Sequence, residues 1–355
     1  MSAFLRFITT DTAVHFHRAH LVDAVAEHHL PKDIAHFGKR LTSYSQSGQS
    51  GPITLQFADG SSANCDLLVG CDGIKSFVRH AMMEKKVAEG LPDFSKYMEP
   101  VWTGSIAYRA LVPVDRLPKF IREDPQLTKP LTYCGKDKVY FILIIHLGNT
   151  IMIGNMQHIM RYCISQSTTL NVVAFVSQPE LSDTVYDGPW ATECDSTELD
   201  AYSNWEPRVS EFLKVSFNVQ TCFVYRLTIP RKLAEKPMKW AIHDLRPLPI
   251  YVSENVALVG DADAYILANL LGHPSTALDT LSHALKAYEH VRLPLANNVR
   301  TISRNTGPMF EFKSSSGDDY KAIKSTMEHQ WDWMSADGVE EQLQKALSKM
   351  MEALN

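Results

Sequence analysis

The sequence predicts a chain that alternates strands and helices, of the α/β or α+β class. Three observations carry that expectation. Residues 66–70 (DLLVG) are a continuous apolar run leading into an Asp-Gly turn and a helix start. Residues 255–259 (NVALV) are a second such run, ending at Gly260-Asp261. Period-two and helical patterns alternate along the rest of the chain.

In chain order, residues 12–17 are strand-like, and residues 18–30 then place Leu21, Val22 and Val25 at helical spacing until Pro31. Residues 53–57 alternate as a half-buried strand does, and Asp59-Gly60 is a hairpin-turn pair. Residues 66–70 read as a strand buried on both faces. Residues 102–112 read as a strand with Ile106, Tyr108 and Ala110 on one face and Ala107, Arg109 and Leu111 on the other. A further strand is expected over residues 170–176 and a short helix over residues 205–217. Residues 278–293 carry helical periodicity through Leu281, Leu285, Tyr288 and Leu293, with Pro294 expected as the stop. Residues 306–320 have a linker composition around Ser314-Ser315-Ser316-Gly317. Beyond them Leu343, Leu347, Met350, Met351 and Leu354 form an amphipathic stripe expected to pack on its own domain.

With 355 residues and 45% hydrophobic content, the chain has material for about two domains. A net charge of −5 offers no general attraction to nucleic-acid phosphates or anionic lipid, so small soluble partners are favoured. The 6 cysteines include no CxxC pair, which argues against a zinc ribbon or a disulfide scaffold and for reduced thiols in the cytoplasm. The first 20 residues lack the charge and apolar pattern of a signal peptide. The apolar stretch at residues 139–154 is shorter than the roughly 20 residues a bilayer crossing needs and is broken by His146, Gly148 and Asn149.

Two segments carry chemistry. DLLVGCDGIKSFVR, residues 66–79, is a strand, a glycine turn and a helix N-terminus, a geometry whose free N–H groups suit a diphosphate while Asp72 accepts from hydroxyls. ENVALVGDA, residues 254–262, places Gly260-Asp261 at the carboxyl end of a strand, where open α/β sheets bind ligands. Each alone is also an ordinary strand-turn-helix.

Together with VHFHRAHLVDAV, WTGSIAYRALVP, LNVVAFVS and AYEHVRLPLANNV, they make the chain resemble the FAD-dependent aromatic hydroxylases. These are class A flavoprotein monooxygenases of the para-hydroxybenzoate hydroxylase type, and the likeness is strongest to fungal salicylate-hydroxylase-like members. The resemblance implies an α/β fold: a Rossmann-like FAD and NAD(P)-binding domain, here incomplete, with an inserted β-sheet substrate domain and a helical C-terminal tail. On that pattern residues 1–95 and 251–307 form the FAD-binding domain, 96–250 the substrate domain and 308–355 the tail. It further implies FAD as cofactor, NAD(P)H and O2 as co-substrates, and a small aromatic, salicylate-like substrate to be hydroxylated. The cofactor carries such chemistry, and the protein positions it and excludes water.

The same resemblance assigns Arg18 to the arginine that follows the strand and touches the flavin. Asp72 and Gly73 match the family's DG motif, which serves FAD and transiently NAD(P)H, and Gly260 and Asp261 match its GD motif, whose aspartate binds the ribityl chain. Arg109 and Tyr162 match positions with an active-site role in fungal relatives, and an arginine fork suits an aromatic carboxylate.

Three departures from the pattern are expected to matter. The sequence contains no GxGxxG, so the family's first strand, glycine loop and helix are expected to be missing. After Asp261 the chain runs directly into DAYILANLLGHP, without the glycine-rich segment that approaches the flavin ring. Residues 139–157, rich in Ile and Met, read as an insertion of the kind translated non-coding sequence would give.

The early histidines His15, His17, His20, His28, His29 and His36 have neither HExxH nor facial-triad spacing, so no metal site is expected. No G-x-S-x-G elbow and no cysteine-nucleophile signature occur. Two readings remain: a flavin-dependent hydroxylase, impaired where cofactor elements are missing, and a non-catalytic remnant or binding protein of the same fold.

Overall fold

The computed structural model describes residues 18–31, 34–48, 51–117, 119–123, 143–145, 149–154, 157–194, 196–203, 205, 207–217, 236–260, 263–317, 319–332 and 336–354. The chain divides into two units. One comprises Met1–Leu30, Trp102–Ile242 and Asn305–His329, the other Pro31–Val101, His243–Arg304 and Gln330–Asn355.

The second unit holds two small sheets. β1 (Leu41–Gln46), β2 (Ile53–Phe57) and β3 (Ser62–Cys65) form an antiparallel meander, with Gly60 at a φ of 82° in the turn that Asp59-Gly60 predicts. β4 (Leu68–Gly70) lies parallel to β13 (Val256–Leu258), which pairs in turn with β12 (Val252–Ser253). The expectation of a strand buried on both faces is corrected here: β4 has three residues, lies at the edge of its sheet among the described strands, and leaves Leu68 and Val69 half-buried. Helix α2 (Phe77–Ala88) packs Val78, Met82 and Met83 into a core shared with Val256, Ala257, Leu258, Leu285 and Tyr288.

The first unit is built on a seven-stranded sheet of order β10-β11-β5-β9-β8-β7-β6. Its centre is β5 (Val101–Pro113), β9 (Thr169–Ser177) and β8 (Gln157–Ile164), continued by β7 (Asn149–Gly154) and β6 (Leu143–Ile145) on one side. On the other side lie β11 (Met238–Asp244) and β10 (Ala191–Glu193). Within the stretch that reads as an insertion, β7 pairs with β8 over six residue pairs, so those Ile and Met residues serve a sheet. Tyr108, Ala110, Val112, Ile159, Leu170, Val172 and Ala174 all point to one side. They pack there against Phe212, Leu213 and Phe217 of α4 (Pro207–Ser216) and its C-terminal end. Helix α3 (Lys119–Arg122) adds Ile121 to the same core.

Two helical expectations change. Helix α1 (Arg18–His28) forms, but Leu21, Val22 and Val25 are exposed and none of its residues is buried. After the short helix α5 (Ala264–Leu271), Pro294 does not stop its successor: α6 runs from Leu281 to Phe310. An interior proline costs about 3 kcal/mol. Burial of Leu281, Ala284, Leu285 and Tyr288 before it offsets that cost, as do the side chains beyond it, where Asn297 bonds both the N–H and the carbonyl of Leu248 and Arg300 bonds Leu245 and Asp244. The linker therefore shrinks to the turn before α7 (Tyr320–His329). The last helix, α8 (Ala336–Leu354), buries Leu343, Ala346 and Met350 in the core of the second unit, as its stripe predicts. Among the described residues no helix is long and apolar enough to cross a membrane.

Candidate functional site

In the second unit the parallel register pairs Leu258 with Gly70, so the chain leaves both strands side by side, at Cys71-Asp72-Gly73 and at Val259-Gly260. The amide of Val259 donates to the Gly70 carbonyl at 3.0 Å, which extends the pairing into the exit. A Cβ on Gly70 would come within 2.8 Å of Val78 Cβ, so glycine is what lets α2 sit this close to the strand end.

The turn that follows is held from inside. The Asp72 carboxylate accepts from the amides of Phe77 (2.7 Å) and Val78 (3.1 Å) and from the Ser76 hydroxyl, while Ser76 Oγ accepts the Arg79 amide at 2.9 Å. Asp72 thus caps the helix whose N-terminus the strand-turn-helix pattern offered to a diphosphate, because a carboxylate is the nearest anion to those free N–H groups. Arg79, 2% exposed, donates Nη2 to the carbonyls of Ile74 (2.8 Å) and Met98 (3.2 Å), pinning the turn from beneath. Burial lowers its pKa, against the pull of Asp72 and Glu99. The Cys71 thiol is pushed up by burial and by Asp72.

At the neighbouring exit, Gly260 N–H donates to Asp263 Oδ2 at 2.8 Å, and Asp263 Oδ1 accepts from Arg292 Nε at 2.7 Å. Arg292 in turn donates to Gln342. Sequence reasoning missed Asp263, Arg292 and Gln342, which lie 29 and 50 residues apart and share no local pattern. Asp261 lies outside the described residues.

The sheet of the first unit carries the other candidates. Arg109 is exposed on the face of β5 opposite the helix-covered core, and Tyr162 of β8 is half-buried on that same face. Asn171 of β9 stands directly opposite both Leu111 and Tyr162, so the register sets Arg109, Asn171 and Tyr162 in one patch. Arg109 Nε donates to Asn171 Oδ1 at 3.0 Å. Further along this face His158 Nδ1 lies 3.1 Å from Glu311 Oε1, which also accepts from Ser177 at 2.8 Å, and His158 stacks on Phe175. Arg18, at the first position of α1, is exposed in this unit, whereas Asp72, Gly73 and Gly260 belong to the other. Among the described residues no cluster of His, Cys, Asp and Glu is placed to hold a metal ion.

No family model matches the chain. A salicylate hydroxylase from Pseudomonas putida, however, is 30% identical over 360 residues, an alignment that covers 94% of this chain and 72% of that protein. The chain belongs to the salicylate-hydroxylase-like FAD-dependent monooxygenases. Another relative, FAD-dependent monooxygenase str9 of Strobilurus tenacellus, is 26% identical over 402 residues, covering 100% of this chain and 77% of that one. Among solved structures, one described as a salicylate hydroxylase substrate complex superposes with a TM-score of 0.72 at 24% identity, over 95% of this chain and 81% of the other. The fold is therefore that of the flavin hydroxylases: a Rossmann-like part, a β-sheet part and a helical C-terminal region.

FAD is the cofactor of this family, and the residues of the second unit can be tested against it. Gly73 has a φ of 76°, with nothing among the described residues within 4 Å of where a Cβ would stand, so the DG turn has a backbone conformation suited to close approach by a ligand. Gly260 likewise ends its strand, and among the described residues only the Asp263 carboxylate lies near its missing Cβ. The DG turn and the paired strand ends fit the group. The Gly260 amide itself is already bonded to Asp263 and is not offered to a ligand.

Proposed function

We propose that the chain is a flavin hydroxylase of small, salicylate-like aromatic anions, using NAD(P)H and O2, with weakened retention of FAD. The observation that supports the cofactor assignment most directly is the register of Leu258 on Gly70, which sets the DG turn beside the strand end preceding Asp261. On this reading Asp72, Gly73, Gly260, Asp261 and Arg18 hold FAD. When bound, FAD supplies the redox chemistry that takes two electrons from NAD(P)H and activates O2, one oxygen atom entering the aromatic ring and the other leaving as water.

The protein's own contribution is positional. Asp72, by capping α2, and Arg79, by holding the turn carbonyls, keep the DG backbone in place before any ligand arrives. In the first unit Arg109 offers a guanidinium for a carboxylate or phenolate, and the Tyr162 hydroxyl on the same face orients the ring substituent. Both act as substrate-binding residues.

Weakened flavin retention is favoured by the chain's second strand exit. Asp263 occupies the Gly260 amide and α5 begins at Ala264, so little backbone remains there to face a flavin ring. The test is a visible spectrum of the purified full chain, before and after incubation with FAD and desalting. Substoichiometric flavin is expected. A preparation carrying one flavin per chain would overturn the weakened state while leaving the family function intact, and salicylate-dependent NAD(P)H oxidation by that preparation would decide the activity.

A further inference from the structure

In the apolar strand LNVVAFV, Asn171 is 1% exposed, a position where a hydrocarbon side chain would pack at no polar cost. Its Oδ1 accepts from Arg109 Nε at 3.0 Å, and its Nδ2 is buried with no hydrogen-bond partner among the described residues. The opposite assignment of the amide would set two donors against each other, so the guanidinium itself fixes which way the amide points. A strand that retains a buried, half-satisfied amide needs a reason.

Arginine chemistry supplies one. A guanidinium held through Nε keeps the edge formed by Nη1 and Nη2 for a second partner, and that edge matches the two oxygens of a carboxylate. Among the described residues no hydrogen bond to Arg109 Nη1 or Nη2 is found, and the side chain is exposed. An aspartate at 171 would satisfy Arg109 better but would cancel its charge, and an alanine would leave it free to swing. An asparagine holds the orientation and preserves the charge, and the unpaired Nδ2 is the cost of doing so.

We propose that Asn171 is a positioning residue that locks Arg109 through Nε, so that the Nη1–Nη2 edge is presented, still charged, to the carboxylate of an aromatic substrate. This rests on the reading that Arg109 binds the substrate anion, and it adds a determinant of anion selectivity. Tyr162, directly across the strand pair from Asn171, borders the same position.

The test is calorimetric titration of the full chain with salicylate and, as an uncharged probe, phenol. The variants are Asn171→Asp, Asn171→Ala, Arg109→Ala and the double variant Arg109→Ala/Asn171→Asp. Asn171→Asp is expected to weaken salicylate binding about tenfold or more, as Arg109→Ala does, while phenol binding stays the same. The double variant is expected to be no worse than Arg109→Ala alone, because the two residues act as one unit. Thermal melts accompany each titration. Asn171→Asp gains an ion pair and is expected to melt no lower than the wild type, so it remains informative if Asn171→Ala fails to fold. Salicylate binding unchanged in Asn171→Asp, with Arg109→Ala impaired, would overturn the role of Asn171 alone. Unchanged binding in Arg109→Ala, or no salicylate binding by the wild type, would overturn the site itself and this role with it. Equal loss of phenol and salicylate in Asn171→Asp would show a packing defect and also refute the proposal.

Discussion

Replacing Asp263 by alanine tests the network behind the second strand exit. Asp263 is 2% exposed and holds two partners: Arg292 Nε at 2.7 Å, itself 2% exposed, and the Gly260 amide at 2.8 Å. Alanine strands the Arg292 charge in the core with Gln342 as its remaining bonded partner among the described residues. Breaking a buried pair at one end costs about 3–5 kcal/mol, and loss of the amide bond adds about 1 kcal/mol. Against a typical stability of about 5–15 kcal/mol, the variant is expected to lose about a quarter of its margin or more. Urea unfolding, followed by circular dichroism and by hydrogen exchange at the amides of β13 and α8, measures the loss where the network sits. The control is Asp263→Ala/Arg292→Leu, which removes both charges and is expected to recover about 2 kcal/mol or more relative to the single variant. A single-variant cost below about 1 kcal/mol, or a double-variant cost equal to the sum of the singles, would refute the picture of one coupled buried pair.

Two further expectations concern the same unit. Gly70→Ala should destabilise by more than about 1 kcal/mol, because its Cβ would stand 2.8 Å from Val78 Cβ. Gly73→Ala should cost about 1 kcal/mol from its positive φ alone, since nothing among the described residues lies within 4 Å. Denaturant midpoints that rank the two the other way would contradict the packing described. Burial, and secondarily Glu254, push Tyr44 up to about 12. Its phenol ionises near pH 10 in an unfolded chain, so its contribution is fully present below about pH 10 and is lost as pH rises towards 12. Urea midpoints of wild type and Tyr44→Phe should therefore converge or cross over that window, and parallel pH profiles would show that Tyr44 does not contribute.

Much of the fold was legible because its signals are local. The alternation over residues 102–112 gives β5 with Tyr108 and Ala110 in the core and Arg109 on the other face. The Asp59-Gly60 pair gives the β2–β3 turn, and the C-terminal stripe gives a helix packed by Leu343 and Met350. The readings that failed were those in which distant residues outvote a local one. Pro294 is an interior helix residue because Asn297 and Arg300 are held by residues 244–248. Residues 149–154, within the stretch that reads as an insertion, pair with β8 in a register that no consecutive residues announce.

The candidate site divides along the same line. The sequence by itself determined the family and the DG and GD segments, because glycine turns and strand ends are written in consecutive positions, and it offered Arg109 and Tyr162 as candidates through the family resemblance. The tertiary structure alone decided that Asp72 points inward to cap α2, that Asp263 takes the Gly260 amide, and that Asn171 stands between Arg109 and Tyr162. These depend on strand register and on which donor meets which acceptor across the fold, meetings between residues far apart in sequence that leave no periodic trace in the chain.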